Sequence, residues 1–270
     1  MRGFTLIIKP DEEEAAAAEV LVEGTIGGRA YRFLLDTGSA RTTVVYDGYT
    51  AAFDCVETSD SSGVFASSRD DLITVPSIEL GPIARHDFTV ARMAAQAPAR
   101  RNLIGMDLLK DFCCYFLFDE NRVTVDGSGE DTAGYAFQAL FLDRKFHPYV
   151  EVQFGALKAQ AVWDTGAGIT VVDLGLIERH PAFFAEAGRS TGTDSTGSSL
   201  ETPLFIMAET VIGGHVFAPH KVAGVDLAPV NATTDVPMDL ILGYSTLSQA
   251  NWLFDFPRQR WAVSKRLGLP

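Results

Sequence analysis

Two acids stand in matching local contexts. Asp36 ends the run Phe33-Leu34-Leu35 and is followed by Thr37, Gly38 and Ser39; Asp164 ends Ala161-Val162-Trp163 and is followed by Thr165, Gly166 and Ala167. One Asp-Thr-Gly is an ordinary strand ending, because all three residue types favour turns. Two copies, each behind an apolar run, point to a paired role. If the loops meet, carboxyls about 3 Å apart cannot both ionise cheaply and share one proton. One member is then a base and the other an acid. A water held between them loses a proton to the first while the second protonates or hydrogen-bonds a carbonyl oxygen. That chemistry suits amide hydrolysis with neither a metal nor a covalent intermediate. Gly38 and Gly166 allow a tight turn and close approach to a ligand, and the Thr37 and Thr165 hydroxyls are expected to brace the loops against each other.

Such a pair must be delivered by two similar frameworks, and the sequence repeats itself in that way. "EVLVEGTIGGRAYRFLLDTGSARTTVV" and "PYVEVQFGALKAQAVWDTGAGITVV" each read as strand, glycine turn, strand and acid. Their apolar and polar residues alternate with period two, as in strands. Three more landmarks recur in the same order: "TSDSSG" at 58–63 with "GTDSTG" at 192–197, "NLIGMDLL" at 102–109 with "LILGYSTL" at 240–247, and "YFLFDENRVTV" at 115–125 with "NWLFDFPRQRWAV" at 251–263. The acids are 128 residues apart, and Gly63 and Gly197 are 134 apart. A repeat held at nearly constant offset reads as duplication of one β-rich lobe of about 110–130 residues, an ordinary domain size. Ile104–Gly105 and Leu242–Gly243 are expected to pack behind the acid loops and hold them still. The class is mainly β, with short helices expected at Met106–Lys110, at Leu174–His180 ahead of Pro181, and at a turn near Tyr244–Ser248. The Gly, Ser and acid-rich stretch "DGSGEDTAG" reads as a linker, giving an N-terminal lobe at 1–126, a linker at 127–134 and a C-terminal lobe at 135–270.

Bulk properties narrow the field. The 270 residues are 47% hydrophobic, enough for a sizeable core, and carry a net charge of −13. An acidic surface argues against nucleic acid and anionic membrane as partners. No run is long and apolar enough to span a bilayer. Cys55, Cys113 and Cys114 form no disulfide framework and read as core residues of a protein in a reducing compartment. The first twenty residues lack the apolar region of a signal peptide, so the cytoplasm is the expected location. His215 and His220, five apart near Asp226, fit no metal-ligand spacing and read as solvated loop residues. Neither a metal nor another cofactor is expected, and no Gly-x-Ser-x-Gly elbow supports a serine hydrolase.

Taken together, these motifs resemble the pepsin and retropepsin superfamily of aspartic peptidases. "LLDTGSA" with "NLIGMDLL" resembles one retropepsin protomer, and "AVWDTGAG" with "LILGYSTL" resembles a second; the likeness runs from about Glu19 to Val263. It implies two similar β-barrel-like lobes, the acid-protease fold, about a pseudo-twofold axis with a cleft between them. Asp36 and Asp164 would be catalytic, with Thr37, Gly38, Ser39, Thr165, Gly166 and Ala167 in the loops and cleft. Flaps would fall at Ser61, Ser62 and Gly63 and at Ser195, Thr196 and Gly197, Phe65 standing in for the usual flap tyrosine. The substrate would be an extended peptide or protein. Pepsins have longer, unequal lobes and usually disulfides and a secretion signal, whereas retropepsins carry one lobe per chain and dimerise. This chain therefore resembles a fused, monomeric, retropepsin-like endopeptidase of bacterial style. Its rivals are a non-catalytic module of the same fold that holds or senses a peptide, and a structural domain of a larger assembly. Ser39 has a hydroxyl where Ala167 has none; by analogy with pepsin-like relatives it should donate to Asp36, making Asp36 the ionised member and Asp164 the proton holder.

Overall fold

The alternating segments fold as the hairpins that their pattern predicts. In the computed structural model, which describes residues 2–62, 67–93, 101–126, 132, 134–193 and 199–267, Ala18–Ile26 pairs antiparallel with Arg29–Leu35, Leu21 opposite Leu34. Gly27 and Gly28 make the turn at φ +53° and +78°, a backbone region open to glycine because it has no Cβ. In the second half Pro148–Phe154 pairs with Leu157–Trp163, Tyr149 opposite Val162.

Each half then builds the same local lattice. Arg29–Leu35 runs parallel to Leu103–Ile104, while Thr43–Val44 lies parallel to Ile83–Arg92 and antiparallel to Leu103–Ile104. Correspondingly, Leu157–Trp163 runs parallel to Leu240–Leu242, while Val171–Asp173 lies parallel to His220–Val225 and antiparallel to Leu240–Leu242. These pairings belong to an eight-stranded sheet in the first half and a ten-stranded sheet in the second. Apolar alternation buries one face of each, so each acid-bearing strand ends against a fully buried interior that includes Leu35 or Trp163.

A third, six-stranded sheet draws strands from both halves. At its centre Cys113–Leu117 pairs antiparallel with Ala250–Asp255, Cys114 opposite Phe254. Trp163 packs over this sheet, with ring centroids 4.6 Å from Phe116 and 4.5 Å from Phe254. Each such aromatic contact contributes about 0.5–1.5 kcal/mol beyond its buried area. The residue before Asp164 is thus clamped by side chains from both halves of the chain. The result is a mainly β protein of two similar lobes, with few and short helices.

Helices occupy Met106–Leu109, Leu174–Arg179 and Tyr244–Leu247, at the expected places. Ala228–Asn231, with Pro229 in its first turn, was not anticipated. Two long hairpins stand where flaps were expected: Cys55–Ser62 with Ser67–Leu80, and Phe184–Thr193 with Ser199–Met207. Ser61 and Ser62 end the first arm. Gly63, Phe65, Ser195, Thr196 and Gly197 lie outside the described residues, as does most of the expected linker at 127–134. Cys113 and Cys114 are buried, but Cys55 is exposed; it begins the outermost strand of its sheet, where only one side is covered, which corrects the core assignment. Among the described residues no helix is long and apolar enough to cross a membrane.

Candidate active site

The two Asp-Thr-Gly loops meet and interlock. The parallel strand in each half fixes its loop from behind: Asp36 N–H donates to the Ile104 carbonyl at 2.9 Å, and Asp164 N–H to the Leu242 carbonyl at 3.0 Å. The threonines then cross between halves. Thr37 N–H donates to Thr165 Oγ1 at 3.2 Å and Thr165 N–H to Thr37 Oγ1 at 3.1 Å. In the same exchange Thr37 Oγ1 donates to the Trp163 carbonyl at 2.8 Å and Thr165 Oγ1 to the Leu35 carbonyl at 2.7 Å. Both threonines are buried, so each hydroxyl satisfies a donor and an acceptor that water does not reach.

Glycine is required next to each threonine by the carboxyl facing it. A Cβ on Gly38 would lie 2.5 Å from Asp164 Oδ2, and one on Gly166 would lie 2.5 Å from Asp36 Cγ. Gly105 and Gly243 are needed for the same steric reason behind the loops. Their added Cβ atoms would fall 2.5 Å from the Arg41 carbonyl carbon and 2.4 Å from the Ile169 oxygen.

Supports one layer further out differ between the halves, and sequence reading missed them. In the first, the half-buried Asp107 carboxylate accepts from Thr42 N–H at 2.9 Å and Thr42 Oγ1 at 2.7 Å, and Thr42 Oγ1 accepts from Gly105 N–H at 3.1 Å. Burial raises the Asp107 carboxyl above its ordinary range despite those bonds. In the second, Ser245 Oγ accepts from Thr170 N–H at 3.0 Å, and a chain of close contacts runs from Gly243 N–H through Thr170 Oγ1 and Thr246 Oγ1 to His220 Nε2. The available signal was position: Asp107 and Ser245 occupy matching places just past the repeated Ile-Gly and Leu-Gly. His220 is buried and its ring is bonded at both nitrogens, which corrects the solvated-loop reading. Burial pushes its imidazole below the ordinary value.

The electrostatics of the paired acids are asymmetric. Asp164 Oδ1 accepts from Gly38 N–H at 3.0 Å and from Gly166 N–H at 2.8 Å. Burial raises both carboxyls. For Asp36 the nearby charge of Asp164 and a hydrogen bond between the two side chains push in the same direction, holding it well above the usual carboxylate range. For Asp164 the two backbone donors oppose burial. The expected hydroxyl bond to Asp36 is not made, since Ser39 Oγ donates to the Arg41 carbonyl at 3.0 Å instead. The hydroxyl expected to favour an ionised Asp36 is therefore turned away from it, and the two glycine N–H donors gather on Asp164 instead. Ala167 lends its carbonyl to Tyr244 N–H, as Ser39 does to Met106 N–H.

Two similar β lobes joined through interlocked Asp-Thr-Gly loops have the architecture of the acid-protease fold. Residues 22–108, a span that includes Asp36 and Gly105, match the family model described as "Aspartyl protease". The match supports assignment to the aspartic peptidase superfamily, aspartic-protease activity in general, and peptides as substrates. No curated protein matches the chain.

Proposed function

We propose that this chain is an aspartic endopeptidase in which Asp36 and Asp164 act as one catalytic pair. The observation that carries this reading is the reciprocal packing of each carboxyl on the other loop's glycine, with the threonine cross-bonds that hold it. Aspartic proteases are the type case of two carboxyls sharing one proton. In the resting pair Asp36 holds the proton and Asp164 is the anion. Asp164 takes a proton from water as its oxygen attacks the peptide carbonyl, and Asp36 gives its proton to the carbonyl oxygen. The tetrahedral diol collapses when Asp164 returns its proton to the leaving nitrogen and Asp36 recovers one from a diol hydroxyl. The C–N bond breaks and the pair regains its starting state.

On this reading the matching lattices are an internal duplication, with lobes at 1–126 and 135–270. Because one chain supplies both acids, the working form is a monomer. The hairpins Cys55–Ser62 with Ser67–Leu80 and Phe184–Thr193 with Ser199–Met207 act as flaps over an extended substrate. Digestion of an unbiased peptide library, with and without a pepstatin-type inhibitor, tests the proposal. Wild type should cleave internal bonds and be inhibited, and Asp36→Ala, Asp164→Ala and the double variant should be equally inactive, since groups acting as a unit are non-additive. Substantial cleavage by either single variant would overturn the pair, and tight peptide binding without turnover by wild type would favour the holding module.

A further inference from the structure

The two halves differ at the residue that the hairpin register, continued past its last pair, sets opposite each acid. The second-half hairpin pairs Tyr149 with Val162. Continuing that antiparallel register by two residues sets His147 across from Asp164, and directly opposed residues in such a ladder lie about 4.5–5.5 Å apart at Cα. In the first half Leu21 pairs with Leu34, so the same extension sets Glu19 across from Asp36. Glu19 is ion-paired with Lys9 at 3.4 Å and with Arg101. The continued register thus gives one acid an ion-paired carboxylate as its opposite residue and the other an imidazole.

His147 is held firmly in that place. Its Nδ1 lies 2.8 Å from Asp143 Oδ2, and Asp143 Oδ1 accepts from the His147 and Lys145 N–H groups at 2.9 Å each. The Asp143 side chain is fully buried. Phe146, just before the histidine, sits at φ +62°, a strained backbone for a bulky residue that persists only where its surroundings enforce it. Pro148, just after, restricts His147 to extended backbone. None of these features is needed merely to begin a strand.

We propose that His147, anchored by Asp143, is a positioning residue for the paired acids that biases Asp164 to be their ionised member. The inference rests on the endopeptidase reading only for its consequence in turnover; the placement stands on geometry. Histidine gains its charge as pH falls below neutral, and a cation favours a nearby carboxylate over its acid. At Asp164 burial dominates and raises the carboxyl; the Gly166 and Gly38 N–H donors and the bond to Asp36 oppose it, and a cationic His147 adds to them in that sense. The other charged and titratable groups around this turn are Asp143 and Lys145 within it, Tyr149 on the strand that follows, Asp235 paired with Arg144, and Lys110 over the Phe146 ring. Burial opposes ionisation of Asp143, but the His147 ring bond and charge together with the His147 and Lys145 N–H donors outweigh it and hold that carboxyl below its ordinary range, so it stays an anion beside the ring.

The experiment follows the carboxyl-carbon NMR titration of aspartate-labelled protein, the pair's signals assigned with Asp36→Asn and Asp164→Asn. Wild type, His147→Gln and His147→Lys are compared, with melting temperatures recorded to establish that each is folded. The lower titration step of the pair should rise by about one pH unit in His147→Gln and return toward wild type in His147→Lys, where a cation is restored. The acid limb of kcat/KM against pH should move with it. An unmoved step in a folded His147→Gln, or an equal shift in the lysine variant, overturns the proposal, because a merely structural histidine is not rescued by charge. A chain that titrates as expected but cleaves no peptide defeats the endopeptidase reading and upholds the pairing; one that cleaves peptide with an unmoved step does the reverse.

Discussion

Thr165→Val tests the cross-bond between the halves most directly. Valine nearly matches threonine in shape but deletes the hydroxyl that donates to the Leu35 carbonyl at 2.7 Å and accepts from Thr37 N–H at 3.2 Å. Thr165 is 1% exposed, so water cannot replace it. Each buried group left without a partner costs about 1–3 kcal/mol; two such groups give a loss of about 2–6 kcal/mol, or roughly 8–16 °C in Tm at the middle of that range. Thr165→Ser keeps both bonds and loses only a methyl, which costs about 1 kcal/mol. Urea unfolding followed by tryptophan fluorescence is a suitable assay, because Trp163, Trp252 and Trp261 all lie in the core where the halves join. Thr37→Val should cost a similar amount through the Trp163 carbonyl and Thr165 N–H, and the double variant less than the sum, since both hydroxyls brace one contact. A Thr165→Val protein within about 0.5 kcal/mol of wild type, or a serine variant as costly as the valine one, would refute the reasoning.

Gly38→Ala and Gly166→Ala should each lower kcat/KM by about a hundredfold or more, because a methyl 2.5 Å from the opposite carboxyl displaces it and small misplacements of reacting groups are that costly; near-normal turnover in either would show that the loops do not interlock as described. The Asp36 carboxyl is raised in the fold, burial first and the Asp164 charge second, from an ordinary value near 3.8. Its contribution to stability is therefore present below that value and lost as pH rises through the folded one. Asp36→Asn cannot ionise, so its Tm relative to wild type should grow between pH 4 and pH 7; a difference independent of pH would count against the raised carboxyl. Light scattering should give a mass near 29.2 kDa and activity unchanged on dilution, and a dimer that loses activity on dilution would remove the single-chain reading.

Much of this protein was legible in one dimension because its determining interactions are local or periodic. Alternation marked the hairpins around Gly27 and Gly155, and Asp-Thr-Gly after an apolar run marked both strand ends. Repeated order at a near-constant offset told that the second half would build what the first half builds. The helices after Gly105 and Gly243 could be read for the same reason. What failed concerned partner choice. Whether the Ser39 hydroxyl reaches Asp36 or the Arg41 carbonyl depends on a few ångströms of loop path set by packing against Gly105. His220 looked like a loop residue because its neighbours in sequence are polar or turn-forming, yet the strand it begins is covered by the helix Tyr244–Leu247. Cys55 looked like core until its strand proved to be an edge.

Sequence by itself determined which residues would stand at the two strand ends and that they would come as a pair. Only the tertiary structure decided how the pair is made unequal. Asp36 and Asp164 each end an apolar run and precede the same Thr-Gly, so no local rule separates them. The difference arises across space, where both glycine N–H groups converge on Asp164. Such electrostatic terms depend on distance and burial between residues far apart in sequence, and these exist only once the two halves have packed together.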